Sequence, residues 1–255
     1  MQTSDSFGDG IPLCAPCRKL SYDAPLRWLK LGWQDYRRAP WHSLAYGTIF
    51  VLIGWLLLYF AWTRDNNALV VSLLFGFLLV GPALAFGLYD ISHQLELNRK
   101  PTFRHERRKA FHEMGHELML ALILGTMFIV LAIVVSMVTW AGPIPGLKSV
   151  ISAASFSYAV SLLVAIIFSG LVFFASVFAL PMILHQDTDA IAALITSVHA
   201  VLRNPGVAAI WALLILALTA AGFATALIGL AVIVPVLGYA TWHGYRETII
   251  TKENG

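Results

Sequence analysis

The chain has 255 residues, of which 58% are hydrophobic and only 12% charged, and its mean hydropathy is +0.75. Soluble domains carry about 25% charged residues, so a soluble globular protein is excluded and lipid is the expected solvent. The formal net charge of +3 points to an anionic membrane surface rather than to nucleic acid, because basic residues beside apolar runs meet lipid head groups.

In chain order, residues 1–20 read as a flexible cytoplasmic tail. It carries Cys14 and Cys17 as a Cys-Ala-Pro-Cys pair. No βαβ context or helix start is at hand to lower a thiol pKa, so reduced thiols in an unstructured segment are expected, with redox sensing or a metal bridge between two chains as the alternative. No apolar core followed by a small-residue cleavage site occurs in the first forty residues, and the first span is expected to act as the insertion signal. Trp28 to Pro40 is half apolar and basic, which predicts a helix lying in the interface.

A bilayer core takes about 20 consecutive apolar residues in helical form. Such runs predict spans at about 43–62, 68–89, 118–140 and 155–184. A second interfacial helix is predicted from Ala193 to Pro205. The run from Val207 to Tyr245 is too long for one helix, and Ala220-Ala221-Gly222 divides it into spans at about 207–221 and 224–245. The runs lack the alternation of transmembrane barrel strands, and helices then remain as the way to satisfy the backbone in hydrocarbon. The predicted fold is an all-α polytopic bundle: residues 21–250 form one domain of six spans, and 251–255 a short cytoplasmic tail.

Fifteen of the 17 lysines and arginines fall on one side of this topology, which places both termini in the cytoplasm. Among them Arg37, Arg38, Arg104, Arg107, Arg108 and Lys109 flank spans and are predicted to face anionic lipid. Trp33, Trp41, Trp62, Trp140 and Trp242 stand at span ends, as an aromatic belt requires.

Two internal similarities suggest three two-helix units. "WLKLGWQDYRRAP" and "ALITSVHAVLRNP" both close on Arg-x-Pro before a span, and "GFLLVGPALAFGLYD" matches "GLAVIVPVLGYATWH", with Pro82 and Pro235 each six residues after the glycine. Pro181 has a similar place in the fourth span. Each proline leaves the carbonyl four residues earlier without its donor, at Leu78, Val177 and Ala231, so a kink that serves packing is predicted, or else a polar path. Ser157, Ser161, Ala165 and Ser169 form a small-residue face for a neighbouring helix.

The sharpest chemical motif is "FHEMGHE". His112, Glu113 and His116 have the HExxH spacing, which on a helix puts two imidazoles one turn apart beside a carboxylate, as zinc metalloproteases require. A third ligand would have to come from Asp187, Asp189, His185 or His243. Met119 and Leu122 occupy the Gly and His positions of the extended metzincin motif, and "RNPG" lacks the aspartate a site-2-type protease would place beside Asn-Pro. The prevailing reading is therefore a polar helix end. Mid-span Asp, Glu, Lys, Arg and His are absent from the predicted spans, unlike those of ion-coupled pumps.

The stretches Trp28–Gly47 and Phe178–Ile249, with Pro181, Asp187, Asp189, Ser197, Asn204, Pro205, Gly229, Pro235 and Trp242-His243-x-Tyr245-Arg246, resemble the bacterial membrane-protein family called domain of unknown function 2189. The resemblance implies a multi-helix inner-membrane protein with no established activity. Some members of that family are described as cytochrome c oxidase components. Haem and copper ligation needs histidines projecting into the middle of a bundle, whereas all eight histidines here fall at or beyond the cytoplasmic span ends. The expected function is thus non-enzymatic and without a cofactor: a scaffold, an accessory or assembly factor of a respiratory complex, or a passive transport element. Its expected partners are membrane lipids and another membrane protein or respiratory complex. The alternative is a membrane-embedded zinc metalloprotease with His112, His116 and Asp187 as ligands and Glu113 as base.

Overall fold

The computed structural model describes residues 14–63, 85–101, isolated positions between 115 and 137, and residues 153–186 and 188–250. These residues are overwhelmingly helical. Their elements are α1 (Ala24–Arg38), α2 (Pro40–Thr63), α3 (residues 85–96), α4 (Ala153–Ser176), α5 (Ala179–Gln186), α6 (Ala190–Arg203), α7 (Pro205–Ala224) and α8 (Leu230–Thr248). No strand occurs among the described residues; the one β-type pairing is an isolated antiparallel bridge between Cys17 and Ile249.

Three segments are long and apolar enough to cross a membrane: Pro40–Phe60, Ile166–Gln186 and Pro205–Ala224. At 1.5 Å per residue the 20-residue α7 is about 30 Å long, the thickness of a hydrocarbon core. Leu52 and Leu56 on α2, Ile166 and Leu171 on α4, and Leu213 and Leu216 on α7 are exposed. In water that surface would be an aggregation hazard; against lipid it is the expected face. Of the spans expected at 68–89 and 118–140, residues 85–89 lie in α3, which runs on to residue 96, and the rest fall largely outside the described residues.

Two boundaries differ from expectation. The fourth span, expected unbroken over 155–184, is interrupted at Val177–Phe178, because Pro181 cannot donate and its ring crowds the preceding turn. The last hairpin does not turn at Ala220-Ala221-Gly222. Helix α7 continues to Ala224, and the reversal uses Ala226 and Leu227 at φ of 51° and 71°, a left-handed geometry unfavourable to L residues. It is held from outside: Trp55 Nε1 donates to the Ala226 carbonyl at 2.8 Å, and Leu227 is buried, close to Gly54. Small-residue composition marked the flexible-looking stretch, while the tertiary contact set the turn.

The described spans meet in a closely packed cap at one end. Its core brings together Trp28 of α1, Phe86 and Tyr89 of α3, Phe178 to Leu184, Ala193 and Ala200 of α6, Trp211 of α7, and Trp242 and Tyr245 of α8. Trp28 meets Trp211 edge-on at a ring separation of 5.6 Å, an arrangement aromatic quadrupoles favour. The second half of α8, the end of the span expected at 224–245, is buried among other helices: Tyr239, Ala240, Trp242 and Tyr245 are inaccessible. Helix α1 likewise does more than lie on a surface. A Cβ at Gly32 would come within 2.6 Å of the Val236 carbonyl and 2.7 Å of the Ala240 amide, so the glycine sets the close approach of α1 to α8.

The two Arg-x-Pro junctions have the same backbone form. Ala39, between α1 and α2, has φ −126° and ψ 56°; Asn204, between α6 and α7, has φ −131° and ψ 53°. In both, the residue before proline leaves the helical region, as proline demands, while its N–H still bonds back into the preceding helix, to Asp35 and Val201 respectively.

Candidate functional site

The HExxH residues His112, Glu113 and His116, and Asp187, lie outside the described residues. The other candidates for a third ligand are engaged elsewhere. Asp189 is the N-cap of α6, accepting from the Ile191 amide at 3.2 Å. His185 Nδ1 lies 2.9 Å from the Tyr245 hydroxyl, and His243 Nε2 lies 2.7 Å from Asp35. Among the described residues no group of three or more His, Cys, Asp or Glu side chains is placed to share a metal ion.

Of the kink prolines, Pro82 is outside the described residues, while Pro181 and Pro235 are buried. The break before Pro181 is stapled by Ser197 of α6: its hydroxyl accepts from the Phe178 amide at 3.2 Å and donates to the Phe174 carbonyl at 2.8 Å. A buried amide left unsatisfied costs about 1–3 kcal/mol, and Ser197, inaccessible to solvent, removes that cost. The carbonyl freed by Pro235, that of Ala231, is met by the backbone of α2 at Gly47, where any Cβ would overlap its oxygen. The cavity beside Val177 holds about 10 Å³, space for one water at most. Both described prolines are thus buried in packed surroundings.

The cap contains a polar layer whose carboxylates, Asp35 and Glu96, sequence reasoning did not single out. Asp35, 4% exposed, accepts from the Ser92 hydroxyl at 2.6 Å and faces His243 Nε2 at 2.7 Å, with Arg38 at 4.0 Å. One carboxylate of α1 thereby ties α3 to α8. Beside it, Arg246 reaches Glu96 at 3.0 Å and His185 Nε2 at 3.1 Å, while Trp242 Nε1 donates to the other Glu96 oxygen at 3.1 Å. His93 and His185 pack their rings against Trp242 at 5.1 and 5.7 Å. A signal for Asp35 was available: it shares the helix face of Trp28 and Gly32, at i, i+4 and i+7, and an acid on an apolar face requires a partner. Chemically this layer fixes helix ends, with Asp35, Glu96 and Arg246 pairing donors and acceptors across elements.

The N-terminal segment expected to be a loose tail is docked from residue 14 onward. Ala15 N donates to Thr196 Oγ1 at 3.1 Å and Leu20 N to Asn204 Oδ1 at 2.8 Å; Asn204 Nδ2 returns a bond to the Arg18 carbonyl at 2.9 Å. Arg18 N reaches the Thr248 carbonyl and Ile250 N the Pro16 carbonyl, at 2.8 and 2.9 Å. Cys17 is buried and Cys14 partly so, both as free thiols. Burial, reinforced by the neighbouring Cys14 and opposed by Arg203, pushes the Cys17 thiol up to about 11, the opposite of an activated cysteine. At the other end of α1, Arg37 and Arg38 are exposed in its last turn, where cations oppose the negative end of the helix dipole. Arg104, Arg107, Arg108 and Lys109 lie outside the described residues.

Apolar helices of membrane-crossing length, gathered by one polar cap, define an integral membrane protein of the all-helical class. The comparison with protein families agrees: the model of a family described as predicted integral membrane protein, domain of unknown function 2189, matches residues 69–185. This is the family the sequence resembles, and the similarity to its model covers residues 69–185. The match centres on the middle of the chain, whereas the motifs that carried the resemblance lie mostly on either side of it. No curated protein and no solved structure matches the chain.

Proposed function

We propose that this is a non-enzymatic scaffold of the bacterial inner membrane, an accessory or assembly factor that holds another membrane protein. It crosses the bilayer six times in three two-helix units, with both termini and the cap in the cytoplasm. The observation that carries the reading is the construction of the cap, in which Asp35 holds Ser92 and His243, Arg246 holds Glu96 and His185, and Asn204 holds the docked N-terminal segment, the strap. Such a cap spends its polar groups on rigidity and leaves the outer faces of α2, α4 and α7 as recognition surface. The packing of Pro181 and Pro235 supports a scaffold over a transport element, and the shared geometry at Ala39 and Asn204 supports repeated units.

Purification from native membranes in mild detergent tests it. The expected result is a second integral membrane protein at near-stoichiometric yield, retained after size exclusion. Recovery of the chain alone, in a detergent that preserves known complexes of the same membrane, would refute the scaffold.

A further inference from the structure

The outer flank of α1 forms one wall of a groove that the scaffold reading leaves unused. The groove has a volume of about 440 Å³ and runs between α1, α7 and α8, within the size range of small-molecule sites. Leu29 and Trp33 of α1 face Leu218 of α7 and Val232 and Ile233 of α8 across it. One charged residue, Lys30, stands in this otherwise apolar lining.

Its surroundings identify the side from which an occupant enters. Leu218 belongs to the membrane-length segment Pro205–Ala224, so the apolar end opens toward lipid. Lys30 lies on the opposite wall, on the helix that carries Arg27, Arg37 and Arg38. Arg27 is occupied by Asp23 and by Glu247, the latter at 2.5 Å, and Arg38 lies beside Asp35. Among the described residues no carboxylate forms an ion pair with Lys30, which is exposed. Trp33 is 46% exposed beside it, at the junction of apolar and polar surface that tryptophan favours. A lysine stem along apolar walls with its ammonium outward is the arrangement that reaches a head group from the edge of hydrocarbon.

We propose that this groove is a binding site for an anionic phospholipid, its acyl chain lying between Trp33 and Val232 and its phosphate on Lys30. The proposal rests on the membrane placement of α1 and is independent of whether the protein has a scaffolding partner. The test is acyl-chain-brominated phosphatidylglycerol titrated into phosphatidylcholine nanodiscs that hold the full chain. The readout is quenching of Trp33, taken as the difference between wild type and Trp33→Phe. Saturable quenching is expected at a low fraction of brominated phosphatidylglycerol. Lys30→Gln, a change at an exposed position, should raise the midpoint about fivefold, the worth of one cation near an anionic surface, with the unfolding temperature unchanged.

Brominated phosphatidylcholine should quench without a low-fraction midpoint. Equal curves for the two lipids, or a midpoint indifferent to Lys30→Gln, would show general lipid contact and overturn the site. Absence of Trp33 quenching by either lipid, as when a second copy of the chain covers the groove, overturns it equally. Inorganic phosphate added at millimolar concentration should leave the curve in place; competition by it would reassign Lys30 to a soluble anion.

Discussion

Asp35 is the position at which the packing argument is most exposed to refutation. Replacing it with alanine removes one carboxylate that accepts from Ser92 at 2.6 Å and pairs with His243 at 2.7 Å, in a place only 4% exposed. The hydroxyl remains buried and the ring partly so, each short of a partner. A stranded polar group costs about 1–3 kcal/mol, so two of them put the expected loss at about 4 kcal/mol. For a chain of this size each kcal/mol lowers the unfolding temperature by about 2–4 °C, which puts Asp35→Ala about 10 °C below wild type.

The assay is tryptophan fluorescence during heating in detergent at one fixed scan rate, with a second scan to verify refolding. Asp35→Asn keeps the shape and an acceptor, and should recover about half of the loss. In a double-mutant cycle with His243→Ala the two changes should couple by about 1 kcal/mol or more, as residues in one network do. A drop of less than about 2 °C in Asp35→Ala, or strict additivity with His243→Ala, would show that the cap does not depend on this carboxylate.

Four further outcomes follow from other contacts. Ser197→Ala should lower stability by about 2 kcal/mol in the same melt, because the Phe178 amide and Phe174 carbonyl lose their bridge at the helix break. Asn204→Asp should loosen the strap, since an acceptor then faces the Arg18 and Ala200 carbonyls that the Nδ2 group serves at 2.9 and 3.2 Å; cleavage near Arg18 by trypsin at least tenfold faster than in wild type measures it. With its pKa raised from 9.0 to about 11, Cys17 holds about a hundredfold less thiolate at pH 8 than an unperturbed cysteine. Mass spectrometry after brief iodoacetamide treatment should find Cys14 alkylated and Cys17 intact. The sign for stability follows: the unfolded thiol ionises from about pH 9 while the folded one does not, so the contribution of Cys17 is complete below pH 9 and is lost toward pH 11. Finally, protein purified without a metal-affinity tag should contain less than about 0.1 zinc per chain by elemental analysis; stoichiometric zinc lost in His112→Ala would instead support the HExxH reading.

What the sequence made legible and what it hid divide along a physical line. Interaction with lipid is one-body: a leucine facing hydrocarbon contributes the same wherever its neighbours lie, so composition and run length find the spans, and Pro40–Phe60 and Pro205–Ala224 fall where uncharged runs put them. Interaction within the cap is two-body and long-range in sequence. Asp35 finds His243 across 208 positions and Ala15 finds Thr196 across 181, and no local periodicity carries that. This is why the strap around Cys17 reads as a tail: its few residues, 14–20, carry no periodic pattern, and its order comes from Asn204 and Thr248 at the far end of the chain.

The same division explains why α8 is the helix that sequence reasoning placed least well. Its first half, from Leu230, is as apolar as a span, and its second half has the aromatic and basic residues of an interface. Hydropathy therefore reads Trp242 and Arg246 as a membrane edge. Yet Trp242 is inaccessible and donates to Glu96, and Arg246 joins Glu96 to His185: the aromatic and the cation look inward, onto α3 and α5. An interfacial tryptophan and a cap tryptophan have the same neighbours in sequence, and only the presence of a partner carboxylate distinguishes them. Glu96 is that partner. Glu96→Gln should thus destabilise the fold through Trp242 and Arg246, whereas a belt tryptophan would not respond to it. A melting temperature unchanged in Glu96→Gln, with Trp242 fluorescence quenched by brominated lipid, would return the end of α8 to the membrane surface.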